Sequence, residues 1–242
     1  MFSPDDHRYM AHALRLAERG LFTTDPNPRV GCVVVRDGSI VGEGWHERTG
    51  GPHAEVHALQ QAGGDAAGAT VYVTLEPCSH HGRTPPCASA LINAGVARVV
   101  AAMQDPNPAV AGQGLQALRD AGIEVAAGLL EDDAGLLNPG FAMRMRHGRP
   151  WVRCKLAMSL DGRTAMASGE SQWITGPAAR EDVHRLRARS SVIMTGIGTV
   201  LADDPSLTAR LAGHDAGMLR QPLRVVLDSD LQTPPAARLL QQ

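Results

Sequence analysis

The sequence predicts an α/β fold: a layered domain around a mixed sheet, followed by a second, smaller domain. Two observations carry the first part of this reading. Asp37-Gly38 between two apolar runs is a strong hairpin signal, and beyond it helical and strand patterns alternate as far as about residue 127. A third observation divides the chain. Asn138-Pro139-Gly140, the basic Arg144, Arg146, His147 and Arg149, and then Pro150 form a polar stretch of the kind few contacts cross. The chain has 242 residues, more than one average domain at about 150 residues each. The predicted domains are 1–147 and 151–242.

The elements follow in order. Ser3-Pro4-Asp5-Asp6 opens a helix with a capping hydroxyl, a proline at the first helical position, and acids at the positive end of the dipole. Met10, Ala13, Leu14 and Ala17 form its apolar stripe, and Gly20 ends it. Val30–Val35 and Ile40–Trp45 are the hairpin strands. The pattern then predicts a helix near His53–Ala62, a strand at Thr70–Leu75, a helix at Pro86–Asn93 and a strand at Arg98–Met103. A helix at Gly114–Asp120 and a strand at Ile123–Ala127 complete the first domain. In the second, Trp151–Met158 reads as a strand, Ala178–Arg189 as a helix, and Val192–Thr195 and Leu223–Leu227 as strands.

Composition excludes several functions. Hydrophobic content of 43% with 20% charged residues fits a globular protein. A net charge of -2 and 3% aromatic residues provide neither a basic surface for phosphate backbones nor platforms for base stacking, so no nucleic-acid partner is expected. No apolar run approaches the roughly 18 residues of a membrane span, and the polar start MFSPDDHRYM is not a secretory leader. A cytoplasmic protein is expected, with Cys32, Cys78, Cys87 and Cys154 reduced.

The chemistry is concentrated in His53-Ala54-Glu55, Pro77-Cys78 and Cys87. One imidazole and two thiolates suit tetrahedral zinc with the fourth position open for water, as in catalytic sites. Each ligand stands at or near a predicted helix start, where free N–H groups favour the thiolate. Zinc lowers the pKa of a bound water to roughly 7. Glu55, two residues from His53, is placed to take that water's proton and pass it to a leaving amine. The zinc-deaminase signature is His-x-Glu followed by Pro-Cys-x-x-Cys. Here the first half is intact, but eight residues separate the cysteines. The intervening Ser79–Pro86 is polar and basic and is a candidate lining of the substrate pocket. A structural zinc would need a fourth ligand, for which His80 and His81 are available. His53 and His57 have helical metal-site spacing, but Glu55 is not in the His-Glu-x-x-His position, and His57 reads as a packed helix residue.

Asn27-Pro28-x-Val30-Gly31, His53-Ala54-Glu55 and Thr74-Leu75-Glu76-Pro77-Cys78-Ser79-His80-His81-Gly82-Arg83-Thr84-Pro85-Pro86-Cys87 resemble the bifunctional deaminase/reductase family of riboflavin biosynthesis. The likeness continues through Lys155-Leu156, Ser159-Leu160-Asp161-Gly162-Arg163, Gly169-Glu170-Ser171-Gln172-Trp173-Ile174 and Leu201-Ala202-Asp203-Asp204-Pro205. It implies an N-terminal cytidine-deaminase-like three-layer domain. That domain would remove the 2-amino group of a diaminopyrimidinone carrying a phosphoribosylamino arm. Zinc would sit on His53, Cys78 and Cys87, with Glu55 moving protons. Asn27 matches a substrate-contacting asparagine, and His46 and Arg83 are further substrate-site candidates.

The resemblance also implies a second, dihydrofolate-reductase-like domain that uses NADPH to convert ribosyl to ribityl. Unaided, Gly196-Ile197-Gly198 reads as a tight loop, because it lacks the third glycine of a Rossmann fingerprint. With the resemblance, Ala157, Trp173, Thr199, Asp203 and Ser229 match nucleotide-contacting positions. Ser171, Arg187, Leu207 and Arg210 match substrate positions, the two arginines as clamps for a 5′-phosphate. Lys155 matches a catalytic-site lysine. Family members continue through further strands, so the second domain is expected to be incomplete and its reductase inactive in these 242 residues. A homo-oligomer is a family-level expectation. Two other classes compete: a base deaminase acting on tRNA or DNA, which wants Pro-Cys-x-x-Cys, basic charge and aromatic platforms, and a structural zinc module with no enzymatic role.

Overall fold

A computed structural model describes residues 1–79, 85–213 and 219–241. The chain forms two compact units, Met1–Trp151 and Val152–Gln242. The first contains α1 (Pro4–Glu18), β1 (Gly31–Arg36), β2 (Ser39–Trp45), α2 (Ala54–Ala62), β3 (Thr70–Val73), α3 (Cys87–Asn93), β4 (Arg98–Ala101), α4 (Gln113–Asp120), β5 (Glu124–Ala127), α5 (Glu131–Leu137) and α6 (Pro139–His147). The second contains α7 (Pro177–Ala188), β6 (Val192–Gly196), α8 (Ile197–Asp203) and β7 (Leu223–Leu227).

The first unit is a mixed five-stranded sheet in the order β2-β1-β3-β4-β5. β1 pairs antiparallel with both β2 and β3, while β3, β4 and β5 run parallel. Side chains alternate across the sheet, as the two-residue period of a strand requires. Cys32, Val34, Val71, Val73, Val99 and Ala101 join α2, α3 and α4 in one core. Val33, Val35, Tyr72 and Val100 join α1 and α5 in the other. The result is three layers, helix–sheet–helix.

Two details of this scaffold position the site. The Ser3 hydroxyl and the Asp6 carboxylate cap α1 reciprocally. Asp6, buried, also accepts hydrogen bonds from Tyr72 at 2.7 Å and Arg98 at 2.7 Å, tying α1 to β3 and β4. On the opposite face, α2 lies close against β2 because Gly42 and Gly44 have no side chains. A Cβ at Gly44 would stand 2.6 Å from the Ala54 carbonyl oxygen and 2.5 Å from the His57 Cβ. His57 is thus a packed helix residue against the hairpin.

Three expectations change. Trp151–Met158 forms no strand, and Trp151, Val152, Leu156 and Met158 are exposed. A strand requires a neighbour for its N–H and C=O groups, and the described sheet of the second unit contains only β6 and β7, paired in parallel. The polar stretch around 138–150 is helical: Pro139 begins α6, Arg144, Arg146 and His147 occupy its last turn, and Gly148 closes it at φ 65. Gly196-Ile197-Gly198 is the passage from β6 directly into α8 rather than a loop. No helix among the described residues is long and apolar enough to cross a membrane.

Candidate active site

His53 is the N-cap residue of α2 and Cys87 the first residue of α3, and Cys78 lies in the segment that follows β3. Their ligand atoms converge. Nδ1 of His53 is 3.2 Å from the Cys87 sulfur and 3.6 Å from the Cys78 sulfur, and all three atoms lie within 4.8 Å of one another. Zinc bonded tetrahedrally at about 2.0–2.1 Å to nitrogen and 2.3 Å to sulfur sets nitrogen–sulfur separations of about 3.5–3.6 Å. The three residues therefore fit a zinc ion in both donor type and spacing. Cys32 is buried in the core and Cys154 is exposed, so neither joins them.

Electrostatics support this reading. Cys78 is pushed towards thiolate by hydrogen bonds from the Cys87 thiol, from His53 and from the Cys87 backbone N–H at 3.3 Å. The shared proton conversely raises the Cys87 thiol. The hydrogen bond to Cys78 raises His53. Glu55 is 3% exposed, and burial pushes its carboxyl above the usual carboxylate range while its backbone N–H and His53 oppose the shift. The neighbouring Cys87 thiol also works against that rise, so the carboxyl stands at the edge of the candidate ligand cluster. A buried carboxyl with raised proton affinity beside a metal site is suited to accept and return a proton.

His46 is buried beside His53, its ring 5.6 Å from that of His53 in an edge-on arrangement. Burial lowers its pKa, with the Pro52 carbonyl opposing and His53 and His57 adding to the fall. Its Nε2 is 3.1 Å from Nδ2 of the partly exposed Asn27. The structure therefore brings Asn27, His46, His53, Glu55, Cys78 and Cys87 to one place. Arg83, like His80 and His81, lies outside the described residues.

Sequence reasoning missed Glu76. It is 5% exposed, and its carboxylate accepts four backbone N–H groups: Gly114 at 2.8 Å and Leu115 at 3.3 Å on Oε1, Asp105 at 3.0 Å and Gly112 at 2.9 Å on Oε2. A Cβ at Gly114 would stand 1.9 Å from the Pro77 carbonyl oxygen. The start of α4 is thus clamped against the residue that precedes Cys78. A carboxylate two positions before a ligand was the available signal, but its partners lie some 30 to 40 residues away in sequence.

In the second unit a cleft of about 640 Å³ is lined by the nucleotide-type candidates Ala157, Trp173, Thr199 and Asp203, together with Lys155. The substrate-type candidates Ser171, Arg187, Leu207 and Arg210 line the same cleft. Ser229 does not: it stands exposed in the turn after β7. Arg180 stacks over the Trp173 ring at 4.5 Å. Arg187 and Arg210 both reach Thr208, the first its carbonyl at 3.1 Å and the second its hydroxyl at 3.0 Å. Burial and the charge of Arg210 lower the proton affinity of Arg187, and neither arginine pairs with an acid among the described residues. An anion is the natural complement of such a pair.

Comparison with known proteins matches a different family description to each end of the chain. Residues 3–103 match the cytidine and deoxycytidylate deaminase zinc-binding region, and residues 150–242 match the RibD C-terminal domain. The riboflavin biosynthesis protein RibD of Escherichia coli is 62% identical over 98% of this chain and 67% of its own length. That of Haemophilus influenzae is 58% identical over 98% and 66%. Among solved structures, Acinetobacter baumannii RibD superposes with a TM-score of 0.95 at 56% identity, covering 98% of this chain and 67% of that one. A diaminohydroxyphosphoribosylaminopyrimidine deaminase/5-amino-6-(5-phosphoribosylamino)uracil reductase from Thermotoga maritima superposes with a TM-score of 0.89 at 43% identity, covering 97% and 66%. The chain spans about two thirds of the length of these relatives. It belongs to the RibD family of bifunctional riboflavin-biosynthesis enzymes.

Proposed function

We propose that the first unit hydrolytically deaminates 2,5-diamino-6-(5-phosphoribosylamino)pyrimidin-4(3H)-one. The observation that carries this reading is the His53, Cys78 and Cys87 cluster with the buried Glu55 at its edge. Zinc held by these residues would supply a polarised water with a pKa near about 7. Glu55 takes the proton of the attacking water as the new carbon–oxygen bond forms at the carbon bearing the amine. It returns the proton to the amino nitrogen as the carbon–nitrogen bond breaks, and ammonia leaves. Raised proton affinity in a buried carboxylate serves both halves of that transfer. Asn27 orients the pyrimidine ring, and Arg83 is assigned to the substrate from its place in the motif.

The second unit is assigned to NADPH-dependent reduction of the ribosyl group. Ala157, Trp173, Thr199, Asp203 and Ser229 are proposed for the nucleotide. Ser171, Arg187, Leu207 and Arg210 are proposed for the substrate, the two arginines on its phosphate, with Lys155 beside the reacting centre. The cleft that gathers all of these but Ser229 supports the reading. The family also leads us to expect a cytoplasmic protein that forms a homo-oligomer; sedimentation of the purified protein tests the oligomer.

The deciding experiment measures zinc by elemental analysis and ammonia release on one sample, with NADPH oxidation followed alongside. About one zinc per chain with ammonia released, both lost on chelation, supports the deaminase. Zinc without ammonia release refutes it and leaves a structural metal.

A further inference from the structure

Asn27 and His46 lie beside the His53, Cys78 and Cys87 cluster, and their bonding determines which way the amide faces. His46 Nδ1 is 2.9 Å from the Pro52 carbonyl oxygen. A carbonyl only accepts, so Nδ1 carries a proton. Nε2 faces Nδ2 of Asn27 at 3.1 Å. An amide nitrogen only donates, so Nε2 offers its lone pair and the ring is neutral. The chain of donors is then complete: Asn27 gives to His46, and His46 gives to Pro52, the residue before the ligand His53. The amide nitrogen is held inward on the buried ring and its oxygen is the outer end. Among the described residues Asn27 Oδ1 has no partner.

The backbone around Asn27 is fixed independently. Its N–H bonds to the Thr24 carbonyl at 2.8 Å. The Thr49 hydroxyl lies 2.6 Å from that same carbonyl oxygen, and the Thr23 hydroxyl donates to the Glu47 carbonyl. Residues 23–27 are thus tied to the segment that carries His46, which leaves the side chain of Asn27 as the part still to be oriented.

We propose that His46 is a positioning residue that fixes the amide of Asn27 with its oxygen towards the substrate, so that the site selects a pyrimidine edge presenting a hydrogen-bond donor. This rests on the deaminase reading above. A diaminopyrimidinone offers such donors in its ring N–H and its amino groups. A ring whose facing edge only accepts would oppose the amide oxygen with a second acceptor and leave both unpaired.

The test has two arms. In zinc-loaded protein labelled with 15N-histidine, the long-range proton–nitrogen spectrum reads the tautomer of each ring. The His46 signals are assigned by their disappearance in His46→Phe and their shift in Asn27→Ala. The proposal requires a neutral ring with the proton on Nδ1. A proton on Nε2 overturns it, because the amide oxygen would then be the end held inward. The second arm is a double-mutant cycle on ammonia release. His46→Phe is expected to raise KM about 5–10-fold with kcat little changed, the effect of one lost oriented hydrogen bond. In the Asn27→Ala background the same change is expected to cost less than about 2-fold. Additive losses, or a fall in zinc content in His46→Phe, overturn the proposal by showing that His46 serves the scaffold or His53. If the wild-type protein releases no ammonia, the deaminase reading fails, while the tautomer still decides the orientation of Asn27.

Discussion

Replacing Glu76 by Gln removes one of two acceptor oxygens from beneath four backbone N–H groups. Whichever way the new amide turns, its NH2 faces either Gly114 and Leu115 or Asp105 and Gly112. Two N–H groups lose their acceptor and meet a donor. Each stranded group costs about 1–3 kcal/mol, so the expected loss is about 2–6 kcal/mol. A domain is stable by only about 5–15 kcal/mol, which makes this a large fraction. At roughly 2–4 °C per kcal/mol, calorimetry should show the transition falling by about 4–24 °C. The zinc-sensitive transition is the one to follow, because α4 and the Pro77–Cys78 segment would separate together. Groups that orient metal ligands are worth about 10–100-fold in affinity, so zinc should also pass faster to a competing chelator. A variant within about 0.5 kcal/mol of the wild type would refute the clamp, since that is the spread of an ordinary surface change.

Three further outcomes are expected. Glu55→Gln should keep full zinc by elemental analysis and lose ammonia release by at least about 100-fold, the usual worth of a general acid–base group; retained turnover would remove Glu55 from the mechanism. Cys87→Ser should lower both zinc content and melting temperature, and chelation of the wild type should do the same, because metal binding and folding are linked; full occupancy in the variant would overturn the ligand assignment. Asp6→Asn should destabilise the protein by about 1–3 kcal/mol at neutral pH and flatten the acid limb of its stability curve. Burial opposes the ionisation of Asp6, but bonds from Arg98, Ser3 and Tyr72 outweigh it and depress the carboxyl below its usual range. Its contribution is therefore complete above the unfolded pKa, about 3.9, and is lost as pH falls from there towards the folded value. Identical acid limbs for the two proteins would show that Asp6 contributes nothing there.

The candidate metal ligands are legible because their chemistry is local: a histidine two residues before a glutamate, and two cysteines that each follow a proline, Cys87 as the first residue of α3. The mixed sheet was legible because Asp37-Gly38 makes a turn that few other dipeptides make. What escaped depends on contacts across the chain. The value of Glu76 lies in four N–H groups from another segment. Asn138 looked like linker, yet its amide bonds both the N–H and the carbonyl of Arg29, at 2.7 and 2.9 Å. Pro139 and Gly148 mark the two ends of α6, but the same residues also have the composition of a domain boundary. Trp151–Met158 has the apolar content of a strand, but a strand exists only when a neighbour pairs with it.

The base of the segment between the two cysteines is closed by the protein itself. The Ala88 N–H bonds to the Cys78 carbonyl at 3.1 Å, and the Cys87 N–H bonds to the Cys78 sulfur at 3.3 Å. Glu76 anchors the entry and α3 anchors the exit. The ends are therefore held together whatever lies between them, and lengthening a closed loop costs little, about 0.6 kcal/mol for each doubling. A metal centre mounted in this way is modular. On the proposed reading, the residues between Cys78 and Cys87 are the replaceable part of the centre, and a longer, shorter or differently charged segment there would refit the same hydrolytic core to new substrates by cassette replacement.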